Sequence, residues 1–189
     1  FTRLSAADWG GVGIDAALAA GGTIAVPNVS GSGRLSVQRA DAPALTALYD
    51  LLETPQAWRD FLAPSAPAEI LVDLDPPDND GGQVLTLDGT LGVADLDLRA
   101  ELGAGIAAIP TGQLRLTATL DSTDTEGLTR QIGLGSAQIF SGDSMLVSVG
   151  LQGSPTNSLQ GQLNASAGSE SIGFAGELHT IGDGEIQGT

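Results

Sequence analysis

The chain has 189 residues, of which 41% are hydrophobic and only 4% aromatic, so its core must be built from Leu, Ile, Val and Ala. It has no cysteine, which excludes a disulfide framework and a thiolate metal site. Its 23 acidic residues against 7 basic ones, all arginine, give a net charge of −16 and no basic stripe, which excludes duplex nucleic acid as a partner and docking to an anionic bilayer through a polybasic patch.

In chain order, the glycine-rich stretch 9–31 reads as two strands. Residues 41–62 then change rhythm. Leu45, Leu48 and Leu52, followed by Trp58, Phe61 and Leu62, have helical spacing. Asp41 is the candidate N-cap, Pro43 falls in the first turn, and Pro55 divides the segment into two helices. From residue 70 the period becomes two. Ile70, Val72 and Leu74 share a face, as do Leu85, Leu87, Gly89, Leu91 and Val93. The phase then slips to Leu96, Leu98, Ala100 and Leu102, which predicts a turn or bulge at Ala94–Asp95. A third run places Leu114, Leu116, Ala118 and Leu120 together.

A short helical segment follows, carrying Leu128 and Ile132. Asp121 or Ser122 would cap it, Gly127 weakens it, and Gly133 or Gly135 stops it. Alternation then resumes: Met145, Val147, Val149 and Leu151; Leu159, Gly161, Leu163 and Ala165; Ile172, Phe174, Gly176 and Leu178. Turn residues at 76–82, 103–105, 153–157 and 168–169 separate these runs. One apolar and one polar face per strand marks antiparallel sheet covered on a single side. The expectation is therefore a mostly β (α+β) fold. It would be a curved antiparallel sheet, groove-like or sandwich-like, with short helices at one side.

The order strand, aspartate, helix, three strands occurs twice. Leu35 matches Leu114 at a period of about 79 residues, "LDGTL" at 87–91 matches "LQGQL" at 159–163, and "RAEL" matches "AGEL". This divides the chain into a partial preceding unit at 1–30, a first repeat at 31–102, a second at 111–178, and a tail or the start of a further unit at 179–189. The unit "LRLTATLDSTDTEGLTRQIGL…LVSVGLQGSPTNSLQGQLNASAGSESIGFAGEL" resembles the AsmA-like repeats of Gram-negative envelope proteins. The resemblance spans about 31–178 and rests on aliphatic patterns with glycines. It implies a periplasmic protein of lipid transport or outer-membrane biogenesis, anchored to the inner membrane, whose sheet forms an aliphatic groove for phospholipid acyl chains. Its partners would be neighbouring repeats or envelope proteins. The lipid-facing residues would be Leu114, Leu116, Leu120, Val147, Val149, Leu151, Leu159, Leu163, Ile172 and Phe174.

The sequence departs from the family in lacking a membrane helix: no stretch reaches the ~20 apolar residues of a span. Because it begins at Phe1 rather than Met, it is expected to be an internal piece or a processed product, with any anchor outside it.

Chemistry-bearing constellations are few. "DLDPPDNDGG" concentrates Asp73, Asp75, Asp78 and Asp80, oxygen ligands suited to Ca²⁺. Pro76 and Pro77 interrupt the spacing of a calcium loop, and a polar turn is the plainer reading. His179 is the sole histidine, with no partner suggested for general-base work. Phosphate-loop and nucleophile-elbow patterns are absent. The chain is thus read as a non-enzyme without an intrinsic cofactor. The alternative function is an extracellular structural or adhesive β domain, stabilised by calcium at 73–80.

Overall fold

A computed structural model of the chain describes residues 2–9, 12–22, 27–40, 66–109, 111–134, 140–181 and 185–188. The helical segment expected at 41–62 lies outside these residues. Eleven strands form one sheet: β1 (Thr2–Trp9), β2 (Val12–Gly22), β3 (Pro27–Ala40), β4 (Ala68–Leu74), β5 (Gln83–Leu91), β6 (Ala94–Leu102), β7 (Leu114–Ser122), β8 (Met145–Ser154), β9 (Ser158–Ala167), β10 (Glu170–Ile181) and β11 (Glu185–Gly188). Their spatial order is their chain order and every pair is antiparallel, so the sheet is an uninterrupted meander. The expected mostly β, antiparallel architecture is present. It is a single sheet, with no second sheet among the described residues.

The meander follows from alternation joined to turn chemistry. The tight connections β5–β6 and β9–β10 are two-residue turns whose first residues, Gly92 and Gly168, have φ of 64° and 58°. That left-handed backbone matches the twist of the flanking strands and suits glycine. The phase slip expected at Ala94–Asp95 is the Gly92–Val93 turn, two residues earlier, and pairing resumes at once with Leu91 opposite Ala94. At the N-terminus the two strands expected within 9–31 become β2 and the first part of β3. A further strand, β1, precedes them, and its short, mixed pattern gave no period-two signal.

In β3–β6 and again in β7–β10 the longest connection follows the first strand. In the second set it contains α1 (Thr125–Gln131), the one α-helix among the described residues. Its cap is Asp124, not Asp121 or Ser122: the Asp124 Oδ1 accepts from the Gly127 N–H at 2.8 Å. The correction has a simple cause. β7 keeps its register with β8 as far as Ser122 opposite Met145, so the helix cannot begin sooner. The Ser122 hydroxyl is used elsewhere, donating to Val93 O at 2.6 Å and accepting from Asp124 N–H at 3.0 Å. Gly133, with φ of 78°, ends the helix as expected, and the Leu134 N–H returns to Thr129 O.

Candidate functional site

Residues directly opposite each other in an antiparallel pair share a face, so the register shows which side chains lie together. One row runs Val72, Leu87, Leu98, Ala118, Val149, Leu163 and Phe174, across β4 to β10. A second runs Ile70, Gly89, Leu96, Leu120, Val147, Ala165 and Ile172. A third runs Leu74, Leu85, Ala100, Leu116, Leu151, Gly161 and Gly176. A shorter fourth places Leu102, Leu114, Gly153 and Leu159 together. Backbone register continues in the same phase into β3 and β2, where Leu35 stands opposite both Val72 and Ile14.

All ten residues expected to face lipid therefore lie on one side of the sheet. The aliphatic rows of β4, β5 and β6 belong to the same face. That was legible in the alternation of those strands.

The face is closed over at both ends by different parts of the chain. At one, α1 and Phe140 close over it. Leu128 is fully buried against a cluster of Ala94, Phe140, Met145, Val147, Ala165 and Ala167, with Leu120, Ile132 and Ile172 packed alongside. Phe140 had no periodic signal, since it stands alone between the helix and β8. Gln131 of α1 donates through Nε2 to Leu91 O at 2.7 Å and accepts from Val93 N–H at 3.0 Å, fastening the helix to the β5–β6 turn. Thr125 Oγ1 donates to Gly142 O at 2.7 Å. No buried side-chain polar atom among the described residues lacks a partner.

At the other end the loop after β6 closes over β5 and β6: the Ile106 N–H donates to Gln83 Oε1 at 3.0 Å, and Ala100 and Leu102 are buried. Between these covers, on β7 to β10, the face is open among the described residues. Leu114, Leu116, Val149, Leu151 and Leu159 are half-buried, while Leu163 and Phe174 are 37% and 63% exposed. Between them is an open apolar hollow of about 270 Å³, walled by Val149, Leu151, Leu163 and Phe174. Gly161 and Gly176, directly opposite each other on β9 and β10, form its floor. The absence of side chains there makes the depression.

The other side of the sheet is polar. It carries a larger open hollow, about 620 Å³, edged by Arg115, Thr117, Gln152, Gln160, Gln162 and Glu177. These are solvated amides and charges, which offer no surface for burying hydrocarbon. Arg34 and Asp73 form a two-pronged pair on this polar side, with Nε–Oδ1 at 2.9 Å and Nη2–Oδ2 at 2.8 Å. The Arg34 guanidinium holds the Asp73 carboxyl below its ordinary range, chiefly by hydrogen bonding.

The four acidic residues considered for Ca²⁺ are not gathered into a site. Asp73 is engaged by Arg34, and the Asp78 carboxylate accepts from the Asp80 and Gly82 N–H groups at 2.9 and 2.8 Å, closing its own loop. Among the described residues no three acidic or histidine side chains converge on a common point. The plainer reading of 75–82, a polar turn between β4 and β5, describes it. His179 lies in β10 opposite Ser158.

Among the described residues no helix is long and apolar enough to cross a membrane. Comparison with protein-family models, with curated proteins and with solved structures gives no match.

Proposed function

We propose that the chain is a periplasmic module of a lipid-transport or outer-membrane-biogenesis protein, and that the open part of its aliphatic face holds phospholipid acyl chains. The observation that carries this reading is the continuity of the apolar rows across seven adjacent strands, β4 to β10, with Leu163 and Phe174 of β9 and β10 left exposed on that face. Each methylene removed from water contributes ~0.8 kcal/mol. A flat run of Leu and Val side chains can collect that from a hydrocarbon chain without any directional polar contact. Contiguous exposed apolar surface of this kind marks an interaction site rather than a finished exterior.

On this reading the protein carries its cargo and does not transform it. β3–β6 and β7–β10 are two copies of one AsmA-like unit, and neighbouring units or envelope proteins extend the face. An inner-membrane anchor belongs to the remainder of such a protein.

The test is site-specific photocrosslinking in a Gram-negative envelope. A photoreactive side chain at position 163 or 174, on the open face, should capture phospholipid. The same group at position 164, on the polar side of β9, should not. Equal capture from both sides, or none from either, would overturn the reading.

A further inference from the structure

We draw no further inference here: the strongest candidate, the open polar hollow of about 620 Å³ edged by Arg115, Gln152, Gln160, Gln162 and Glu177 on the side of β7–β10 away from the aliphatic face, carries nothing because nothing in the structure shows what covers it.

Discussion

One row of side chains on this sheet, Leu120, Val147, Ala165 and Ile172, lies under α1 and Phe140, with Val147 and Ala165 only 3% and 2% exposed. The next row along the same strands, Ala118, Val149, Leu163 and Phe174, ends in residues 37% and 63% exposed. The two rows are one step of the pleat apart, about 7 Å, and their sequences are equally aliphatic. What separates core from surface is whether another part of the chain supplies a lid. Period-two alternation sets the side of a sheet on which a residue stands, and is silent on what stands above it.

The largest effect expected from this contrast is at its centre. Leu128→Ala removes a fully buried side chain from the lid and should cost about 2–5 kcal/mol of unfolding free energy, from the lost transfer of its methyl groups and the cavity left behind. Phe174→Ala removes a larger side chain from the open row, and should cost under about 1 kcal/mol, because most of that ring is already in water. Denaturant midpoints for the two variants measure the contrast directly. Equal losses would mean that the open row is as tightly packed as the covered one.

A smaller loss is expected at the seam between lid and sheet. Gln131→Ala leaves Leu91 O and Val93 N–H without their side-chain partner at a partly buried turn. Stranded groups of this kind cost roughly 1–3 kcal/mol. Faster amide exchange at Val93, compared with Ser169 in the other tight turn, would locate the damage. Unchanged exchange at Val93 would show that water replaces the glutamine without loss.

Much of this was legible in the residues. Leu114 to Leu120 and Met145 to Leu151 announce their strands because polar and apolar positions alternate without interruption, and the antiparallel meander follows from turn residues at each junction. The common face was legible too, since its members need only the correct phase. The cap was misplaced because Asp121, Ser122 and Asp124 are all good N-caps, and the choice is made by how far β7 stays paired with β8, a long-range matter. The burial of Phe140 was invisible for a related reason: an isolated aromatic has no period. The proposed acidic metal loop failed through competition. Asp73 had a guanidinium from a strand thirty-nine positions away in sequence, and Asp78 had the amides of its own turn.

The polar side of the sheet offers a weaker contrast, read through pH. Because Arg34 lowers the Asp73 pKa in the folded protein, the pair contributes stability at pH values above the ordinary carboxylate range, and that contribution is lost as pH falls through the lowered folded value. The guanidinium is 61% and the carboxylate 33% exposed, so screening keeps the contribution within about 1 kcal/mol. Arg34→Met should return the Asp73 titration, followed by NMR, upward toward its ordinary position. An unmoved titration would assign the shift to another group.

The smallest effect returns to the lid and comes from cancellation. Gly127 sits inside α1, where replacing glycine by alanine ordinarily gains roughly 1 kcal/mol of helix stability. Here the capping carboxylate of Asp124 lies over the glycine, where a Cβ would collide with its Oδ2. The alanine side chain would therefore displace the cap, whose loss costs about 0.5–2 kcal/mol. The two effects nearly offset, so Gly127→Ala should leave the denaturation midpoint almost unchanged. Combining it with Asp124→Ala separates them, because the cap is then already gone and the alanine should stabilise relative to Asp124→Ala alone. If Gly127→Ala stabilises the protein to the same extent with and without Asp124, the glycine is not there to make room for the cap, and the helix that closes this end of the face is weaker than it need be for some other reason.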